Sequence, residues 1–556
     1  ANGVLDIDDY VLLYAMSTRG WSYSPSEKTF HHYINHYTEA SVYFLTYGGA
    51  GRGKNMDALT STSLAGAYKP TDFQGKLLVE HELFNLVNSG RQWIGESFNI
   101  ASNFNVFANN LPALVPTKPM LYRFAFFSSS AAIDSFVIQE NGKTFGSIPM
   151  YPIDVGSITD VKAYQAPVTE FSRVGALPND RSVLRLQYVT RNSAATGYLD
   201  WFEIFYARRF EADNDSLFFT SPDTNAIVEY TVSKFSSRDI SVFEVTDHKN
   251  VKQVTNLAFD QADASLARFQ VAQTGGSVRE FVAVGPKGYR TATNVKRVSN
   301  SNLHGLSGGA DFVILSPPEF LNEAERLRAH RQKNDQLRTV VVNLEQVYNE
   351  FSSGMLDPVA IRDFLKYTQT TWSPKPQYVL LFGAGSYDYK NILKLSDHIW
   401  VPPFETLESN EQISTLASDD YYVFLDPAVQ RISLPIGRLP LRSTEDAKNV
   451  VDKIIAYDTS TAYDPWRNRI TFAADDGLTS SGDDGLIHTD QSERLAEGYT
   501  PDSFSKEKVF IVQYPTVNTS TGRTKPTANR AIDDAINRGT VILNWTGHGN
   551  TQLWAH

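Results

Sequence analysis

Two glycines bracket His548, in the run Gly547-His548-Gly549 that follows the apolar stretch 541–545. An imidazole takes up and releases a proton near neutral pH. Flanking glycines let the backbone turn sharply and approach a substrate carbonyl closely, and their N–H groups can serve an oxyanion. The bland reading of the same residues is a histidine closing a strand end for structural reasons. A second glycine-rich turn, Gly383-Ala384-Gly385, follows the apolar run 378–382 and leads to Asp388. It has neither the GxGxxG spacing nor the Lys-Ser or Lys-Thr pair of a phosphate loop. Asp388 would therefore either orient a catalytic base or hold its own loop through backbone N–H groups. Paired carboxylates occur at Asp419-Asp420, Asp475-Asp476 and Asp483-Asp484. None has EF-hand spacing, so calcium at Asp475 and Asp476 stands beside the default of solvated loop carboxylates.

Two other patterns fail on context. Gly48 to Lys54 spells GxxxxGK, but Asn55 stands where a magnesium-binding Ser or Thr belongs and no helix pattern follows. His31, His32 and His36 resemble metal ligands only on a helix. On the strand this aromatic-rich region suggests, His32 and His36 lie about 13 Å apart, too far for one ion.

The elements that must position these groups change character along the chain. Up to about residue 300 the sequence reads as short strands, β-branched or aromatic and bounded by turn residues, at 9–15, 40–46, 120–127, 182–188 and 199–206. In the last of these, strict alternation puts Asp200, Phe202, Ile204 and Tyr206 on one face. More strands are expected at 226–232, 240–245, 266–271 and 279–284, giving β-sandwich architecture in two units, 1–209 and 210–299. A Gly/Ser/Asn-rich linker at 300–310 separates them from a region, 311–556, in which strands and helices alternate. Strands are expected at 312–315, 339–344, 378–382, 470–474, 509–512 and 541–545. A helix opens at Pro317-Pro318, another is N-capped by Asp357 with Pro358 at its first position, and a third follows the near capping box Ser443–Asp446. A helix over 527–538 closes on Gly539. That alternation implies a mostly parallel sheet covered by helices. In such sheets catalytic groups sit beyond the carboxyl ends of the strands, which is the address of both His548 and Asp388.

Composition bounds the function classes. The 556 residues carry a formal net charge of -11, which argues against nucleic acid as a partner. No apolar run reaches the roughly 18–20 residues of a membrane span. There is no cysteine, so these residues supply no disulfide, no thiolate-bound zinc and no thiol nucleophile. The first residues show no basic and apolar signal-peptide pattern, as a mature N-terminus would also look.

Five segments taken in order carry a resemblance: YVLLFGAGSYDYKN at 378–391, SDDYY at 418–422 with IGR at 436–438, ADDG at 474–477, and NWTGHGN at 544–550. They resemble the gingipain-like C25 cysteine peptidases, and specifically the branch that serves the type IX secretion system as a C-terminal signal peptidase. The segments 9–15 and 198–206 resemble the β-rich region of that branch. The resemblance implies a caspase-like α/β domain with histidine and cysteine at the ends of neighbouring parallel strands. His548 would then be the catalytic histidine, and Gly549 would offer its N–H to the oxyanion. Asp388, Asp419 and Asp420 are candidates for an acidic or substrate-binding role. The implied cysteine lies on the next strand, so the domain is expected to be incomplete at His556, with the nucleophile beyond it and this chain inactive alone.

By the same resemblance the chemistry is acyl transfer, hydrolytic or sortase-like. It would remove C-terminal sorting domains from secreted cargo and join the cargo to anionic lipopolysaccharide. The implied place is the cell surface, on the outer membrane beside the β-barrel PorV, with no required cofactor. Two alternatives stay open. One is a non-catalytic pseudo-peptidase scaffold that binds cargo or an outer-membrane partner. The other is a metal-dependent hydrolase using His548 with Asp419, Asp420 or Asp475.

Overall fold

The computed structural model describes residues 10–46, 55–157, 161–263, 265–306, 308–395, 399–429, 431–478, 482–520, 522–549 and 553–554. The GxxxxGK stretch lies outside them, apart from its last neighbour Asn55. The chain divides into two compact units, Ala1–Lys453 and Ile454–His556.

The first unit begins with a β-sandwich. One sheet is built on Pro119–Ser129 paired antiparallel to Thr196–Arg209, with Asp72–Glu80 on its far side. The other orders Phe104–Asn110, Arg181–Val189, Asp134–Glu140 and Lys143–Met150. Phe124, Phe126, Phe136, Leu184, Leu186, Phe202 and Ile204 fill the space between them. Alternation is broken in the Thr196–Arg209 strand in a way the sequence reading did not anticipate. The ladder shifts between Leu199 and Trp201, so Leu199 and Phe202 both enter the core although their spacing is odd. A β-bulge re-aims side chains in this manner. It turns Asp200 off the apolar face assigned to it and toward Gln92, Glu80 and His32.

A second, smaller sandwich follows, with Phe219, Tyr230, Phe269 and Phe281 at its centre. Its five-stranded sheet takes in Asp57–Thr60, which pairs in parallel with Lys252–Thr255, so an early segment crosses the expected division at residue 209. The expected strands at 9–15 and 40–46 form no ladder among the described residues. They are joined instead by side chains, Met16 N donating to Tyr43 Oη and Ser41 Oγ donating to the Met16 carbonyl.

The grammar change near residue 300 is a change of architecture. Thr339–Asn343, Phe312–Ser316, Tyr378–Phe382 and Ile436–Leu439 form a wholly parallel four-stranded sheet in that order. Helices Leu321–Asn334, Leu344–Phe351 and Pro358–Thr371 connect its strands. Asp357 caps the last of these, accepting from Val359 N at 2.8 Å. The linker is not loose. Glu350 accepts from the backbone of Leu303 and His304, and Leu303 enters the core of this sheet.

In the second unit Arg469–Ala474 is the central strand of a parallel sheet, with Ser505–Phe510 on one side and Ile542–Thr546 on the other. Helix Ile487–Arg494 follows the central strand, and Pro526–Arg538 precedes the last one. Gly539 ends that helix at φ 87, a conformation glycine adopts without steric cost. The strand expected at 509–512 begins earlier, at Ser505, and closes in a 3-10 turn at Ile511–Gln513.

Candidate active site

Parallel pairing of Arg469–Ala474 with Ile542–Thr546 matches Ala474 to Thr546, so both strands end at the same level. The residues that follow them, Asp475 and Gly547-His548, must therefore emerge side by side. Asp475 N donates to the Thr546 carbonyl at 3.0 Å, extending the ladder by one rung. The Asp475 carboxylate then receives the turn. Its Oδ2 accepts from His548 N at 3.2 Å and lies 3.1 Å from His548 Nδ1. An ionised carboxylate only accepts, so this contact is a hydrogen bond when Nδ1 carries the hydrogen, the tautomer that leaves Nε2 to exchange a proton. Oδ1 of the same carboxylate accepts from Asp476 N at 2.8 Å.

The turn needs glycine at its first position. A Cβ added at Gly547 would overlap the Cβ of Asp475 and come within 3.0 Å of the Trp545 ring. Trp545 closes the other side, its Nε1 donating to the His548 carbonyl at 3.1 Å and its ring stacking on Trp554. Gly549 is held opposite Trp554 in an isolated antiparallel bridge.

Around the ring, Asp475 is 4% exposed while the His548 side chain is 35% exposed, so the pair combines a buried orienting acid with an accessible imidazole. Nε2 faces Asp484 Oδ2 at 3.1 Å. Asp484 is exposed, and its N–H is anchored to the Gly477 carbonyl. Asp476 points elsewhere, toward Lys525 at 2.9 Å and Arg523 at 3.6 Å. Burial pulls its pKa upward, but these cations and the Leu478 N–H outweigh it and hold the carboxyl below its ordinary value.

The remaining candidates sit in the first unit, each engaged locally. The Asp388 carboxylate accepts from Ile392 N at 2.7 Å and Leu393 N at 2.8 Å. Its loop is a docking point for the first sandwich: Lys390 pairs with Glu82 at 2.7 Å, both almost fully buried, and Tyr387 stacks on Trp93. Asp419 makes a two-pronged pair with Arg438, whose guanidinium also donates to the carbonyls of Gly383 and Val401. Asp420 is exposed and opens the 3-10 turn Asp420–Val423. The residue that the sequence reading did not join to His548 as its orienting acid is Asp475. The available signal was its address, directly after a strand like His548 itself.

Residues 306–556 match the family model described as Peptidase family C25. Gingipain R2 of Porphyromonas gingivalis is 24% identical over 247 residues, covering 44% of this chain and 28% of that protein. Gingipain R1 of the same organism is 26% identical over 222 residues, 39% of this chain and 18% of that protein. The chain thus spans less than a third of the curated relatives it matches. The solved structure of dimeric latent PorU from P. gingivalis aligns with a TM-score of 0.68 at 22% identity, over 82% of this chain and 44% of that one. That likeness is one of fold, and it takes in the β-rich half together with the α/β half.

Proposed function

From a chain whose residues 306–556 match the model of peptidase family C25, we propose that His548 is the acid–base residue of a cysteine peptidase and that Asp475 is its orienting carboxylate. The observation that carries the reading is the 3.1 Å contact between His548 Nδ1 and Asp475 Oδ2 at adjoining ends of parallel strands. It leaves Nε2 to move a proton. The 556 residues hold no cysteine, so the proposal assigns the nucleophile to residues outside them.

In the acyl-transfer step a thiolate adds to the peptide carbonyl carbon. The C–N bond breaks, and the protonated imidazole of His548 gives its proton to the departing amine, leaving a thioester. Asp475 keeps the ring oriented and stabilises the imidazolium while it exists. Water then releases a carboxylate, or an amine takes the acyl group and forms a new amide.

The fold likeness to PorU and the five sequence segments support a finer reading. The substrates are secreted proteins bearing a C-terminal sorting domain, and the amine acceptor belongs to an anionic lipopolysaccharide. The site of action is the outer-membrane surface, beside the barrel PorV. No helix among the described residues is long and apolar enough to cross a membrane.

The test is a thiol-reactive peptidase probe applied to the native full-length protein, followed by peptide mapping. A labelled cysteine that loses its label when His548 is replaced by Ala supports the reading. A protein with no reactive thiol overturns it and favours the non-catalytic scaffold, a reading motivated by the absence of cysteine here. Mass spectrometry of released cargo separates the two acceptors, a free C-terminal carboxylate marking water and an added glycan marking an amine.

A further inference from the structure

The histidine site gathers donor atoms that the peptidase chemistry does not use. His488 lies in the first turn of the Ile487–Arg494 helix and meets the His548 ring edge to face, with centroids 4.7 Å apart. Its Nε2 is buried and makes no hydrogen bond among the described residues, with Asp484 Oδ2 3.8 Å away. Leaving a buried ring nitrogen without a hydrogen bond is unfavourable, and a bound ligand is one way to satisfy it. One ligand atom each from Asp475, His488 and His548 fall within 4.8 Å of one another. Ligands bonded to a tetrahedral ion at about 2.0–2.1 Å stand roughly 3.3 Å apart, so these three need to draw together by roughly 1.5 Å at most.

We propose that Asp475, His488 and His548 form a binding site for a divalent transition-metal cation of the zinc class, and that the bound cation reversibly silences the histidine. The second half of the proposal rests on the peptidase reading above; the first half does not. Two imidazoles with one carboxylate are donors suited to zinc, whereas calcium and magnesium favour oxygen ligands. The exposed Asp484 carboxylate, 3.1 Å from His548 Nε2, adds a second negative charge beside the ion. The positive side chains nearby are already engaged, Lys525 and Arg523 with Asp476. Inhibition follows from valence. A neutral imidazole has one lone pair, and once that pair is given to a cation it no longer takes up a proton. The ion would leave when chelated, returning the lone pair of His548 to proton transfer.

The test uses the full-length protein and cobalt(II) as a spectroscopic substitute for zinc. Binding is expected to give the intense visible absorption of a tetrahedral cobalt centre, bleached by stoichiometric zinc and unaffected by calcium. His488→Gln is expected to weaken cobalt binding at least tenfold and to raise, by the same factor, the zinc concentration that halves probe labelling. His548→Ala, at a more exposed position, repeats the binding measurement should the His488 variant not fold. A tetrahedral spectrum without any peptidase activity keeps the metal site and sinks the catalytic reading. Activity without a cobalt spectrum, or a spectrum indifferent to both replacements, makes the two histidines a packing pair and overturns the proposal.

Discussion

Asp475 and Asp484 face opposite nitrogens of one ring, and their removal should have unequal consequences. Asp475 is buried and is the proposed orienting acid, favouring the hydrogen on Nδ1. Asp475→Asn would present an amide to Nδ1 and permit the wrong tautomer. A loss of ~10²–10⁴ in kcat/KM is expected, with the fold retained by circular dichroism. Asp484 is exposed and must yield to substrate, so Asp484→Asn is expected to change kcat/KM by less than about tenfold. Equal losses for both would remove Asp475 from its orienting role. The histidine was legible from sequence because a Gly-His-Gly turn after a strand is a local pattern. Its acid was not, because Asp475 and His548 meet only through the choice of neighbouring strand.

Strand ends do the positioning, so changes at the element scale should act on stability and activity together. Gly547→Ala would force a Cβ against Asp475 at the point where the two strand ends meet. The expected cost is about 1–3 kcal/mol, read as a lower Tm, with peptidase activity falling alongside as the turn shifts. The Gly383–Lys390 loop has the same strand-end address as the histidine turn, yet its side chains serve attachment. Removing the cation in Lys390→Met would leave the buried Glu82 carboxylate, among the described residues, with the 3.4 Å contact from Arg19 as its remaining ion pair. A destabilisation on the order of 3 kcal/mol is expected from thermal unfolding, with the histidine site left intact. Sequence periodicity found these elements because helix caps and strand composition act over a few residues, as Asp357 and Gly539 show. It missed the bulge at Leu199–Trp201, since a ladder shift is set by the partner strand and not by the bulged one.

At the scale of the whole molecule, the first sandwich carries an acidic cluster that should shape the pH response. Burial, reinforced by Glu80, raises Asp200 to about 7, against partial relief from Gln92 and His32. Burial likewise raises Glu80. Burial would lower His32, but the Glu203 hydrogen bond and the charges of Glu80, Glu203 and Asp200 outweigh it and raise its pKa. All three groups bind a proton more tightly in the folded state than in the unfolded one. Their contribution is therefore present at low pH and lost as pH rises through the folded values. Between pH 5 and pH 8 the stability of this region is expected to decline. Asp200→Asn should remove most of that slope, which denaturant unfolding at several pH values would measure. An unchanged slope would show that Asp200 does not hold its proton in the fold.

The sequence by itself determined the two β-rich regions, the parallel α/β architecture, the strand-end histidine and the C25 resemblance, because each rests on short-range pattern or ordered motifs. Only the tertiary structure decided which carboxylate serves that histidine. The Arg469–Ala474 and Ile542–Thr546 strands lie far apart in the chain, and pairing in register brings their ends together. The same closure placed His488 against His548 and left Asp388 and Asp419 with their own loop and arginine. Backbone propensity is local, whereas contact between two strand ends is a property of the assembled sheet.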